Sequence, residues 1–332
     1  MQLIPHSYPN LTRQDCTNVL DCFDHNFVGF DNEIDKKIKS ELRSYLSFQY
    51  LEITPSGSIA LSLILKSMNL ENGDEIILSA INCWSVYNII KNEGARPVIC
   101  DVRSCNDFRA SYETIIQKIT KHTKAVIITH MFGSLLEEKI IQKIKDNYPK
   151  LKIIEDFSTS IFSTDNYKLG KYSDYGLGSF GSTKPLTGGI GGVICSHTKI
   201  VDTHYDQKMG SVNSFNIKIS RINQMLLLSQ IQNFPIYQKQ KKKVIKFYQN
   251  YVNIYNSDAY DLFRAITFDD PKLVAEQFKK LQKELDIRRS VQPNLTKELE
   301  ADINSNAYNF KNYYSLPLHI GVYRILSEHG MI

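Results

Sequence analysis

Between residues 59 and 158 the chain switches repeatedly between two apolar periodicities, and this alternation constrains its fold more than any other feature. "LSLILKSMNL" (61–70) spaces its apolar residues as a helix does, and "DEIILSA" (74–80) is a short apolar run of strand length. "SVYNIIKNEG" (85–94) is helical and stops at a glycine, a common end signal. "PVICDV" (97–102), "KAVIITHMFG" (124–133) and "KLKIIEDFS" (150–158) read as strands, while "SYETIIQKIT" (111–120) and "EEKIIQKIKDNY" (137–148) between them read as helices. A strand that returns after a helical crossover lies parallel to its predecessor, and the crossovers cover the faces of the sheet. The expected class is therefore α/β, with a mixed, mainly parallel sheet between helices.

Open sheets of this class bind ligands outside the carboxyl ends of their strands. Three polar residues fall there: Asp101 after "PVIC", His130 after "AVIIT" and Asp156 after "KIIE". Asp101 and His130 serve equally well as turn caps. Beyond about residue 200 the texture changes. A long helical stretch, roughly 217–256, carries "KQKKKVIK", which reads as a solvated face, because no aromatic residues interleave with the lysines as a nucleic-acid surface would require. Shorter mixed segments follow. The expected division is a large domain over 1–205 and a smaller α+β domain over 206–332 that includes the long connecting helix.

Composition narrows the function classes. A net charge of +5 over 332 residues does not indicate a nucleic-acid partner. No run reaches the roughly 18 apolar residues of a membrane span, and the amino terminus lacks the basic start and apolar core of a secretory signal. The six cysteines show no CxxC spacing and several sit in apolar runs, so they read as free buried thiols of a reducing compartment. A cytoplasmic location is expected.

The stretch "FGSTKPLTGGIGG" (180–192) sets Lys184 among five glycines. A nucleotide P-loop needs glycine directly before the lysine and a hydroxyl directly after it; Thr183 and Pro185 stand there instead. Gly176, Gly178 and Gly181 spell GxGxxG, but a dinucleotide fingerprint opens a helix, and the following Lys184, Pro185 and glycines do not. The third chemistry is a Schiff-base lysine, whose neutral amine condenses with an aldehyde cofactor. Pyridoxal 5′-phosphate (PLP) asks for more: a carboxylate for its ring nitrogen, N–H groups of a helix N-terminus and hydroxyls for its phosphate, and a cover for its ring. Asp156 can supply the first. "PSGSIAL" (55–61), with Gly57 and Ser58, can supply the second, joined by Ser179. Asn82, Cys83 and Trp84, after "DEIILSA", stand where a ring cover belongs. "SGS" is also an ordinary helix cap, and Asp156 an ordinary turn carboxylate; their joint occurrence in this order favours the cofactor.

With these residues the chain resembles the DegT/DnrJ/EryC1/StrS family, the PLP-dependent aminotransferases of nucleotide-sugar pathways. The resemblance runs from near "IPHSYPNLTRQD" to "SLPLH" (315–319). The family's S-G-T-x-A-L helix start appears as Ser56 to Leu61, its E-D strand end as Glu155-Asp156, and its G-x-x-x-D-x-G-x-x-S-F segment as "GKYSDYGLGSF" (170–180). Its lysine and G-x-G-G appear as Lys184 and "GIGG" (189–192). The resemblance implies an aspartate-aminotransferase-like PLP-dependent fold of type I. It implies Lys184 as the covalent anchor, Asp156 as partner of the ring nitrogen, and Gly57, Ser58 and Ser179 as phosphate ligands, with Cys83, Trp84 and Thr159 around the ring. "FNIKIS" (215–220) is similar to the family's N-Y-R-M-S, so Asn216 would reach the cofactor of a partner subunit in a homodimer with shared active sites. The implied reaction converts a nucleotide-linked ketosugar to an aminosugar with an amino acid donor, L-glutamate by analogy, for surface polysaccharide or related glycans. Arg288, Arg289 and His319 are candidates for diphosphate contact or plain solvated surface.

The sequence departs from the family pattern in places. Ser158 and Thr159 stand where Gln or His is usual, Cys83 where an aromatic is common, Ile190 in place of Glu, Pro185 in place of a polar residue, and Lys218 in place of Arg. These changes leave a second reading open: a cofactor-binding relative that acts on a different keto substrate or regulates without turnover. A dehydratase of the same family would carry histidine at 184.

Overall fold

The computed structural model describes residues 11–24, 27–104, 107–161, 168–200 and 218–248, together with three short strands further on. Two helices come first, α1 (Arg13–Asp24) and α2 (Asn32–Arg43), then strand β1 (Tyr50–Thr54), α3 (Gly57–Ser67) and β2 (Glu75–Ser79). α4 (Trp84–Asn92), β3 (Arg96–Cys100) and a small hairpin of β4 (Val102–Ser104) and β5 (Asp107–Ala110) follow. α5 (Tyr112–Ile116), β6 (Thr123–Thr129), α6 (Glu138–Asn147), β7 (Lys152–Asp156), β8 (Tyr175–Ser179) and β9 (Gly192–Ser196) complete the central region. α7 (Arg221–Tyr248) is the long helix, and β10 (Ile254–Tyr255), β11 (Ala265–Thr267) and β12 (Ser315–Pro317) form a separate antiparallel sheet.

The seven-stranded sheet has the order β1-β9-β8-β7-β6-β2-β3. β3, β2, β6, β7 and β8 are mutually parallel, and β9 enters antiparallel between β8 and β1. This is the mixed, mainly parallel sheet that the alternating periodicities require. Successive side chains on a strand point to opposite faces, and the core divides accordingly. Ile76, Leu78, Ile127, Ile154, Leu177 and Ile194 pack under α3 and α4. Ile77, Val126, Ile128 and Ile153 pack under α5 and α6 on the other face. On that second face, β1 and β9 are covered by α2 and α7 through Leu42, Ile53, Val193, Leu227 and Phe234.

Three expectations need correction. "PVICDV" is not one strand: β3 ends at Cys100, exposed Asp101 separates it from β4, and β4 turns away into its hairpin. "SYETIIQKIT" is helical only over Tyr112–Ile116, started by a capping box between Ser111 and Thr114. The cysteines are also not uniformly buried. Cys22, Cys100 and Cys195 are, whereas Cys16 and Cys83 are exposed, and all five are free thiols.

α1 and α7 are tied by a buried carboxylate. Asp15 accepts hydrogen bonds from the Ser229 hydroxyl at 2.6 Å, Gln230 Nε2 at 3.0 Å and the Tyr237 hydroxyl at 3.0 Å, besides the N–H and hydroxyl of Thr12. Satisfying a buried charge in this way is what makes it tolerable. Burial pushes the Tyr237 phenol up to about 12. Its stabilising share is thus fully present below the ordinary phenol range near pH ~10 and is lost as pH rises through about 12. Tyr237→Phe should cost about 1.5–3 kcal/mol at neutral pH, the range for a bond to a charged group. Denaturant unfolding at pH 7, 10 and 11 should also show a smaller alkaline loss of stability in the variant than in the parent.

Candidate active site

Register places one face of the carboxyl edge in two rows. Thr129, Asp156 and Leu177 are paired neighbours across β6, β7 and β8. Two residues further on, Ser179, Gly192 and Thr54 are paired neighbours across β8, β9 and β1. Leu177 packs under α3 and α4, so all six residues share the face on which those helices begin. The amino ends of α3 and α4 therefore stand over Asp156 and Ser179.

The turn into α3 is set by close packing. Ser56 caps the helix, its extended backbone (φ −163°, ψ 161°) letting its hydroxyl accept the Ile59 N–H at 3.2 Å. That leaves the N–H groups of Gly57 and Ser58 without intrahelical partners, as at any helix start. A methyl group on Gly57 would lie 2.9 Å from Cβ of Ser179, and one on Gly192 would lie 2.4–2.6 Å from the backbone of Ser56 and Gly57. Only hydrogen at both positions lets the helix start, the end of β8 and the start of β9 meet. The hydroxyl of Ser179 and the exposed Ser58 then flank the free N–H groups. This cradle fits a phosphate.

Lys184 stands on the loop from β8 to β9. The loop is closed at its base by Phe180 N–H to Gly191 O at 2.8 Å and Gly188 N–H to Phe180 O at 2.9 Å. Lys184 N–H donates to Gly181 O at 3.0 Å in a turn. Asn223 of α7 fastens the loop from outside, donating to Gly188 O at 2.7 Å. The Lys184 side chain is half-buried and has no carboxylate partner among the described residues. Pro185 and Leu186 after it are buried, so the proline that replaces a polar residue anchors the loop in the core.

Asp156 is 6% exposed. Its Oδ1 accepts the Ser158 N–H at 3.0 Å, and the other oxygen takes no bond from a described residue. A buried carboxylate with one open oxygen fits a protonated ring nitrogen. Glu155 points to the opposite face. It is buried, pairs with His130 Nε2 at 3.3 Å and takes the Gly170 N–H. His130 Nδ1 accepts the Leu136 N–H at 3.1 Å, so the ring proton lies on Nε2 toward Glu155. Both of its nitrogens serve the fold, which decides between the two readings left open for this residue.

The Thr159 hydroxyl donates to His130 O at 3.0 Å and accepts the Phe132 N–H at 3.1 Å, which leaves it an acceptor only. Cys83 precedes α4, exposed, with Sγ 3.1 Å from the Ser85 hydroxyl. Trp84 is 71% exposed and stacks on Tyr87, ring centroids 5.0 Å apart. Asn82 Nδ2 donates to Thr129 Oγ1 at 2.8 Å while its Oδ1 takes the Cys83 N–H at 2.7 Å. Asn82 thus ties the start of α4 to the Asp156 row. Thr129 and Asn223 went unnoticed in the sequence, since neither belongs to a motif. Asn216, Arg288, Arg289 and His319 lie outside the described residues.

The packing yields a stability test. Gly192→Ala should destabilise by about 1–3 kcal/mol, the usual cost of overpacking, as read by urea unfolding. Val193→Ala, a truncation in the core one residue on, serves as a control that leaves the turn contacts in place.

Comparison with known proteins agrees with this geometry. The family model of the DegT/DnrJ/EryC1/StrS aminotransferase family matches residues 9–326. Among curated relatives, GDP-perosamine synthase of Escherichia coli O157:H7 is 27% identical over 270 residues, 76% of this chain and 72% of that protein. GDP-perosamine synthase of Vibrio cholerae is 27% identical over 200 residues, covering 60% of this chain and 54% of that protein. Among solved structures, Helicobacter pylori PseC, an aminotransferase involved in the biosynthesis of pseudoaminic acid, superposes with a TM-score of 0.74 at 19% identity over 100% of both chains. The chain belongs to the DegT/DnrJ/EryC1/StrS aminotransferase family, a family of PLP-dependent enzymes with the type I fold.

Proposed function

We propose that this sugar aminotransferase transfers an amino group from L-glutamate to a nucleotide-linked ketosugar, for surface polysaccharide or related glycan synthesis in the cytoplasm. The observation that carries the reading is the shared face of the carboxyl edge. A buried carboxylate with one open oxygen and the close-packed start of α3 stand on it, and the loop from β8 to β9 carries Lys184, which supports the reading. Support for the acceptor comes from the relatives, two of which are GDP-perosamine synthases. We further propose a homodimer whose partner completes the site through Asn216, and a smaller domain over 206–332 beginning with the approach to α7.

The residues act as follows. The N–H groups of Gly57 and Ser58 and the hydroxyls of Ser58 and Ser179 hold the phosphate at the positive end of α3. Asp156 would accept the ring N–H of the cofactor through the oxygen that Ser158 leaves open, and a carboxylate there would keep that nitrogen protonated. Bound PLP supplies an electron sink for the α-carbon of the amino donor. Lys184 Nζ would hold the cofactor and, as a free amine, would serve as the base and acid that moves the proton at the donor's α-carbon. Cys83 or Trp84, at the start of α4, would cover the ring, with the Asn82–Thr129 bond holding the Cys83 backbone.

Amine transfer tests the proposal. Incubation with L-glutamate and a panel of GDP-, UDP- and dTDP-linked ketosugars, read by mass, should give an aminosugar and 2-oxoglutarate. Lys184→Ala should reduce the rate by at least about 10²–10⁴-fold, the share of a positioned acid–base group. Asp156→Asn should lower kcat with far less effect on protein stability. Transfer to free keto acids alone, with no turnover of any nucleotide sugar, would refute the acceptor assignment.

A further inference from the structure

The turn that follows β6 holds one residue in a backbone conformation that its side chain disfavours. Among the described residues two non-glycine residues have a positive φ, Asn69 (φ 50°) and Phe132 (φ 54°). Asparagine visits that region readily, whereas a bulky aromatic residue there is an outlier. Such a conformation persists only where its surroundings hold it, and it collects at functional sites. Phe108 of β5 supplies the hold. It is 3% exposed, meets the Phe132 ring edge-on with centroids 5.9 Å apart, and also packs against Ile81. The hairpin that carries Phe108 is clamped to the start of α6. Arg103 of β4 forks onto the two Glu137 oxygens at 2.8 and 2.5 Å, and Arg109 of β5 reaches the same carboxylate at 3.3 Å.

Held in this way, the turn aims two successive N–H groups at the turn after β7. Phe132 N–H donates to the Thr159 hydroxyl and Gly133 N–H to the Ser160 hydroxyl, both at 3.1 Å. The two hydroxyls in turn donate to His130 O. Thr159 and Ser160 belong to the turn Phe157–Ser160, which closes with Ser160 N–H on Phe157 O at 3.0 Å. Ser158 of the same turn gives its N–H to Asp156 Oδ1 at 3.0 Å. The φ of Phe132 therefore decides where the turn sits that orients the Asp156 carboxylate. A relaxed Phe132 would aim its N–H elsewhere and leave that turn with fewer ties.

We propose that Phe132, held in its left-handed conformation by Phe108, is a positioning residue for Asp156 and through it for the cofactor ring. The inference rests on the role given above to Asp156. The full chain is titrated with PLP, and its visible absorbance is recorded at saturation, for the parent, Asp156→Asn, Phe132→Ala and Phe132→Gly. The last two lose the same ring contacts, but only glycine takes a positive φ without strain. A protein whose binding-competent state is a minor one binds with an affinity reduced by that fraction. Phe132→Ala should therefore bind PLP at least about fivefold more weakly than Phe132→Gly, the lower end of such strain expressed as an equilibrium constant. Its visible band should move in the direction of Asp156→Asn, while Phe132→Gly keeps the band of the parent. Phe108→Leu, which leaves an apolar side chain against Ile81, should shift the band in the parent and not in the Phe132→Gly background. Lower thermal stability in Phe132→Ala with band and affinity unchanged overturns the proposal. So do equal effects of alanine and glycine, or a Phe108→Leu shift that persists in the glycine background. An unaltered band in Asp156→Asn would refute the role of Asp156 itself, and this proposal with it.

Discussion

The site depends on how closely β9 lies against the start of α3. β9 is antiparallel between two strands that run the other way, so its first residue, Gly192, pairs at once with Thr54 and Ser179. That pairing brings the ends of β1 and β8 to the same level, and the chain leaving β1 passes over Gly192 within 2.4–2.6 Å of where a side chain would begin. The phosphate cradle is a product of this contact. The free N–H groups belong to α3, but the hydroxyl of Ser179 can join them only because Gly57 allows β8 to approach. Asp156 is one strand further along the same face, and Lys184 hangs from the loop that links the two strands in question. A single backbone approach therefore sets the relation between the start of α3 and the ends of β8 and β9, from which the Lys184 loop leaves.

The two faces of the carboxyl edge divide their work. Consecutive residues Glu155 and Asp156 illustrate it. Asp156 keeps an oxygen open on the face of α3 and α4, while Glu155 spends its charge on His130 and Gly170 within the opposite core. His130 O in turn accepts from the hydroxyls of Thr159 and Ser160, which bind the turn after β7 to the turn after β6. One carboxylate of the acidic pair at the strand end thus keeps an open oxygen and the other is spent on the fold, and strand alternation alone assigns which is which.

Much of this was legible in the sequence, for identifiable reasons. β2, β6 and β7 are buried on both faces and read as unbroken apolar runs; α3, α4 and α6 carry helical spacing with clear ends. β1, β8 and β9 were not recognised as strands. β8 reads Tyr-Gly-Leu-Gly-Ser, and its glycines imitate a dinucleotide fingerprint. In the fold they leave room for Phe157: a methyl on Gly178 would meet that ring at 2.7 Å. Cross-strand packing of this kind has no local signature. The same holds for Asn82, Thr129 and Asn223, whose bonds join segments distant in sequence. Lys184, Asp156 and the Ser56–Ser58 turn stand out in the sequence because the proposed chemistry asks for particular residue types at strand ends and helix starts. The 12 residues of "KQKKKVIKFYQN" and its surroundings show the limit of composition: it suggested a helix, which α7 contains through Tyr248, but no role.

The most direct measurement of the central claim is the site of covalent attachment. Protein incubated with PLP, reduced with borohydride, digested and sequenced by mass should carry one pyridoxyl phosphate, on Lys184, and Asp156→Asn should shift the visible absorbance of the unreduced protein. A label found on another lysine, or no label at saturating PLP, would contradict the account.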